Sequence, residues 1–152
     1  MSKKKAASAD LIMKLYDLRR EATMREARNW FVAFFPENAD EVMTAMLHPD
    51  SSAFYRMVVT YWDMAAGFVN HGAIDEQMFL ESAGEAYLVF AKLHPFLADL
   101  RAKSGNPKYL GNLADLMLRQ PDAEATLAAR REYLKNMVAK RMEMTKNANQ
   151  AA

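Results

Sequence analysis

Between Phe54 and Val69 twelve of sixteen positions are apolar, a run interrupted only by Arg56, Thr60, Asp63 and Gly67. Such a segment has too few polar positions to be a half-solvated strand or an ordinary surface helix. A helix that is apolar nearly all round must be covered by neighbours on most sides, so this segment is predicted to be the central helix of its fold. The interruptions, continued by Asn70, recur at intervals of 4, 3, 4 and 3, which sets them on one narrow line along one face.

Composition supports a helical surround for that segment. Ala, Leu and Met supply 26, 15 and 12 residues, whereas Val, Ile and Thr supply only 7, 2 and 5. Strong helix formers therefore dominate, which excludes a sandwich, a barrel or a wide parallel sheet. The expected fold is all-α: a single-domain helical bundle of six or seven helices around a central buried helix. Residues 1–8 are expected to be a flexible basic N-terminal tail, 9–145 the bundle, and 146–152 a flexible C-terminal tail.

Proline and glycine mark where helices end. A first helix is expected from Ser8 or Asp10 to Pro36. Asn38 and Glu41 have capping-box spacing for a short helix that Pro49 ends. Asp50, Ser51 and Ser52 are candidate N-caps for the central helix, which Gly72 would stop in a left-handed conformation. Asp75 then caps a helix running to His94, with Ile74 and Phe79 spaced as a hydrophobic staple. A turn so short makes the two helices an antiparallel hairpin. Pro95 kinks that helix or begins another ending near Gly105. Asn106-Pro107 signals a helix through Leu118. Pro121, Asp122 and Glu124 signal the last helix, with Leu127, Leu134, Met137 and Val138 as a thin apolar stripe.

The absence of cysteine excludes disulfides, zinc–thiolate centres, iron–sulfur clusters and thiol nucleophiles. His48, His71 and His94 each sit beside Pro or Gly at an expected helix C-terminus, where capping accounts for them without a metal. No Glu-x-x-His pair suits a di-iron bundle, and no glycine-rich phosphate loop or Gly-x-Ser-x-Gly elbow is present. No metal, cofactor or catalytic residue is assigned, and catalysis has no positive support. The apolar runs are too short for a membrane span, and the basic N-terminus leads into polar residues, so a cytoplasmic protein is expected.

The net charge of +1 conceals segregation: residues 1–35 sum to +4, 36–100 to −8 and 101–152 to +5. Basic residues are interleaved with acids rather than gathered in a stripe, which argues against nucleic acid. Arg19, Arg20, Arg25 and Arg28 are expected on a solvated, salt-bridged face, with Asp17 meeting Arg20 and Glu21 meeting Arg25. Glu81 and Glu85 stack at four-residue spacing and call for a cation from elsewhere in the fold.

Two readings of the polar line remain open. It is either a solvent edge, or one covered by polar residues of a neighbour, or else the border of a ligand cleft formed by Arg56, Asp63, Gly67, Asn70 and His71. In the second reading Gly67 admits a ligand or backbone and Asp63 is the working carboxylate, paired with a cation or raised in pKa. On the last helix Arg130, Arg131, Leu134 and Val138 are candidate interface residues, reaching the acidic middle of the chain or a second subunit.

Four blocks carry a resemblance. Arg25-x-Ala27-Arg28-x-Trp30-Phe31, Tyr61-Trp62-Asp63-Met64-Ala65-Ala66, Val69-Asn70-His71-Gly72-Ala73-Ile74-Asp75 and Phe90-Ala91-Lys92-x-x-Pro95-Phe96 resemble an uncharacterised family of bacterial all-helical proteins, a domain of unknown function. The likeness spans about residues 19–134. It implies an all-helical fold and brings no substrate, cofactor or catalytic residue; some relatives bear a membrane segment that this chain lacks. The favoured function is a non-catalytic protein-interaction or assembly module, a homo-oligomer or one bound to another protein. A small-molecule-binding bundle or an enzyme using the polar line is the alternative. A third reading is weak binding to anionic surfaces through Lys3, Lys4, Lys5 and the basic C-terminus.

Overall fold

The run from Phe54 to Val69 lies at the centre of the molecule. A computed structural model describes residues 2–152, in which helices α1 (Lys3–Leu18), α2 (Ala22–Ala33), α3 (Ala39–Leu47) and α4 (Ser52–Asn70) are followed by α5 (Glu76–Ser82), α6 (Gly84–Leu93), α7 (Leu97–Ser104), α8 (Gly111–Leu118) and α9 (Ala123–Ala151). No strand occurs among the described residues. α4 packs against α2, α3, α5, α6 and α8 and buries Tyr55, Val58, Val59, Trp62, Ala65, Ala66 and Val69. Burial on several sides is what its continuous apolar sequence requires.

Among the described residues nine α-helices stand where six or seven were expected, because two expected helices divide. The first breaks at Arg19–Glu21, where the Glu21 carboxylate turns back to accept the N–H groups of Thr23 and Met24 and so starts α2. The helix after Asp75 breaks at Ala83, between α5 and α6. At Pro95 the chain makes a single 3-10 turn, His94–Phe96, before α7. Helix also reaches into both segments read as tails: α1 begins at Lys3, capped by Ser2 Oγ, and α9 continues to Ala151.

The local signals at the hairpin act as expected. Gly72 adopts φ +78°, and its N–H and that of Ala73 bond to Val69 O and Phe68 O, closing α4. Asp75 Oδ1 accepts the Met78 N–H at 3.0 Å, and Ile74 and Phe79 are both buried. Asn38 Oδ1 accepts the Glu41 N–H, although the Glu41 carboxylate turns to the Glu37 N–H rather than completing the box.

Three other starts differ. Ser51 occupies the N-cap position of α4, but its hydroxyl donates to Ala45 O. Asn106 Oδ1 accepts the Lys108 N–H and forms a turn, so α8 opens only at Gly111, after Leu110 at φ +55°. Asp122 precedes α9 at φ +52° and its side chain caps nothing.

Of the 29 residues in α9 only Leu127 is buried, with Ala123, Arg131, Leu134 and Val138 half-buried. From Ala139 onward the helix is exposed, an overhang of about 20 Å at 1.5 Å per residue.

Candidate functional site

The polar line of α4 divides into two parts. Arg56 and Thr60 are exposed and bond within their own helix, to Ser52 O and Arg56 O. Asp63, Gly67 and Asn70 face α8. That helix begins after Leu110, which has no polar side chain with which to cap it, and its first N–H groups would otherwise go unpaired. Asp63 supplies the acceptor from another helix: Oδ1 accepts the Leu113 N–H at 3.0 Å and Oδ2 accepts Asn112 Nδ2 at 3.3 Å. Asn70 Nδ2 donates to Asn112 O, and Asn70 Oδ1 accepts from Arg119 Nη1.

Gly67 is the point of closest approach, since a Cβ there would lie 3.0 Å from Asn112 Nδ2. Among the candidate ligand residues, then, the fold gathers Asp63, Gly67 and Asn70 into a helix–helix seam. It leaves Arg56 on the surface and His71 exposed at the C-terminus of α4. None of the five lines the clefts described below.

Arg28 belongs to a different cluster from the solvated face expected of it. Its Nε and Nη2 donate to the Glu85 carboxylate at 3.0 and 2.8 Å, and Trp62 Nε1 donates to the same carboxylate at 3.3 Å. Arg19 stands 3.7 Å from Glu85 with its guanidinium over the rings of Tyr16 and Trp62. The cation that Glu85 called for therefore comes from α2. Its hydrogen bonds to Glu85 hold the Arg28 pKa above its usual value. The cavity beside Arg19 has a volume of only about 10 Å³, room for a single water. The Asp17–Arg20 pair forms at 4.0 Å, whereas Arg25 donates to Arg20 O and Glu21 serves as the cap of α2.

The third feature is where α9 meets the body of the fold. Arg131 donates to Lys92 O at 2.8 Å and to Pro36 O at 2.7 Å, with its guanidinium over Phe35 and Phe96. Arg130 lies over Tyr87 at 4.7 Å. Beside Arg131 a cleft of about 490 Å³ is lined by Phe35, His94, Pro95 and Glu124, with Lys135 and Glu132 on its rim. His94 Nε2 lies 2.9 Å from Glu124. A second cleft, about 570 Å³, separates the overhang of α9 from Ala33 at the end of α2.

Beneath this contact is Lys92, the one lysine with no exposed surface among the described residues. Its Nζ donates to Phe31 O and Val32 O at 2.8 and 3.0 Å, satisfying carbonyls at the C-terminus of α2. Burial pushes its pKa down to about 7, and the cations of Arg131 and Arg141 add to that. Sequence reading gave Lys92 no role. The available signal was a lone charge inside the apolar run Ala86 to Leu93.

A family model, described as a domain of unknown function (DUF4760), matches residues 5–120. The chain belongs to the DUF4760 family. No curated protein and no solved structure matches it. The DUF4760 match starts earlier than the resemblance read at residue 19 and stops before α9, so the family domain corresponds to α1–α8. Within the described residues no cluster of His, Asp and Glu could hold a metal ion, and no helix is long and apolar enough to cross a membrane.

Proposed function

We propose that the protein is a non-catalytic assembly module, a DUF4760 domain that associates through the helix appended to it. The observation that carries this reading is the unequal partnering of α9. Its first half is held by Leu127, Arg131, Leu134 and Val138, whereas residues 139–151 are exposed throughout. On a neighbouring face Tyr133 and Met144 are 63% and 71% exposed, and Met137 lies between them at helical spacing. Long, unpartnered apolar residues on a projecting helix characterise a protein-contact surface.

All four candidate interface residues lie against the chain's own body: Arg131 on Lys92 O and Pro36 O, Leu134 on the core, Arg130 over Tyr87, and Val138 half-buried. α9 therefore meets a second copy either through its exposed face and overhang or by leaving its own groove. The hydrogen bonds that Asp63 and Asn70 make to α8 favour this reading over a ligand site on α4. Light scattering at low and high salt tests it. A dimer or larger species is expected, and a strict monomer that also retains no partner in pull-downs would overturn the proposal.

A further inference from the structure

α9 is bound to its own domain as a ligand helix is bound in a groove. Its anchors Leu127, Arg131, Leu134 and Val138 are spaced 4, 3 and 4, the pattern by which one amphipathic helix is read by a groove. The strongest anchor is Arg131, whose two hydrogen bonds go to main-chain carbonyls of Lys92 and Pro36. The domain that forms the groove is the family domain, and α9 lies wholly outside the family match.

The connection between them is short and strained at one place. Arg119 is pinned by Glu76 and Asn70, and Gln120 by Glu76 and Leu116 O. Freedom is thus confined to Pro121 and Asp122. Asp122 is held in the left-handed region at φ +52°, which aspartate tolerates better than most residues but which still costs about 1 kcal/mol, here offset by no cap. Pro121 disfavours helix at Gln120, so α8 and α9 cannot fuse into one helix. In this structure the hinge is turned back, and extending it would carry α9 out of its own groove.

We infer that α9 exchanges between two copies of this chain, each α9 seated in the partner's groove with the Pro121–Asp122 hinge extended. The inference rests on the assembly reading above and names its partner, a second copy met through the anchored side of α9 rather than through its exposed face. Exchange reproduces every anchor contact of the closed chain, because groove and helix are the same in both copies. What differs is the hinge, where two left-handed aspartates are released per dimer, set against the entropy of association.

The cysteine-free sequence allows a direct test. His94 and Glu124 meet across the groove at 2.9 Å, one on each side of the exchanged contact. In full-length protein carrying His94→Cys and Glu124→Cys, the dimer fraction is treated with a short thiol-to-thiol cross-linker and run on a denaturing gel. Exchange links two chains and gives a band of twice the chain mass. Asp122→Gly in the full chain, which removes the left-handed penalty, is expected to weaken the dimer about ten-fold. A dimer whose cross-links all stay within one chain overturns the exchange and leaves the assembly reading standing. A chain monomeric at every concentration, or one whose groove accepts only a foreign helix, overturns the exchange; strict monomers without any partner overturn both.

Discussion

Asp63 of α4 caps α8 from fifty residues away, its Oδ1 accepting the Leu113 N–H at 3.0 Å. An N-cap is ordinarily supplied by the residue at the helix start, but Leu110 has no acceptor to offer. Asp63→Ala should therefore destabilise the fold by about 1–2 kcal/mol, the usual cost of a lost cap. Asp63→Asn, which keeps an oxygen facing Leu113, should cost less. Urea unfolding followed by circular dichroism distinguishes the two, and equal losses would count against the cap.

Glu85 joins Arg28, Trp62 and the nearby Arg19 in a mostly buried cluster. Replacing it by Ala strands the Arg28 charge, and a loss of about 3 kcal/mol is expected. Arg28→Met together with Glu85→Leu removes both charges and should cost clearly less than Glu85→Ala alone. A double-mutant cycle in denaturant measures the difference.

Lys92 makes stability depend on pH. Its folded pKa of about 7 lies below the unfolded value of 10.5, so between these the unfolded chain holds more protons. Stability should then rise with pH from about 7 upward, by at most about 1.4 kcal/mol per pH unit, with the penalty fully present below pH 7. Lys92→Met should flatten that rise and gain on the wild type at pH 6. Unfolding midpoints of both proteins at pH 6, 7.5 and 9 check the sign, and parallel profiles would argue against it.

Arg131 fastens α9 through two main-chain carbonyls and two aromatic faces. Arg131→Ala should raise hydrogen exchange across residues 127–138 while the core helices keep their protection. Arg131→Lys should rescue little of it, because a single ammonium cannot reproduce the planar fork or its stacking. Protection lost evenly over the whole chain would show instead that α9 and the core unfold as one unit.

The parts of this fold legible in the sequence are those governed by neighbours in the chain. Gly72, Asp75 and Asn38 act at helix ends where spacing and residue type suffice. His48, His71 and His94 stand at C-caps by position, although His48 Nδ1 accepts the Asp50 N–H and His94 Nε2 meets Glu124 instead of a helix carbonyl. The break at Arg19–Glu21 carries no local signal, because glutamate is an uncommon N-cap and no proline or glycine marks the spot. The stacking of Glu81 and Glu85 called for a cation from elsewhere in the fold, but not for Arg28, which the spacing put on a solvated face and the structure pairs with Glu85.

By itself the sequence determined that the chain is helical, that the segment around Trp62 is its centre, and where most helices stop. Local hydrogen bonding and apolar periodicity decide such matters within a few residues. Only the tertiary structure decided that Asp63 serves α8, that Lys92 is sealed beneath α9, and that α9 is exposed from Ala139 onward. Those outcomes depend on which helices come to lie side by side, and packing of the whole core sets that, not spacing along the chain.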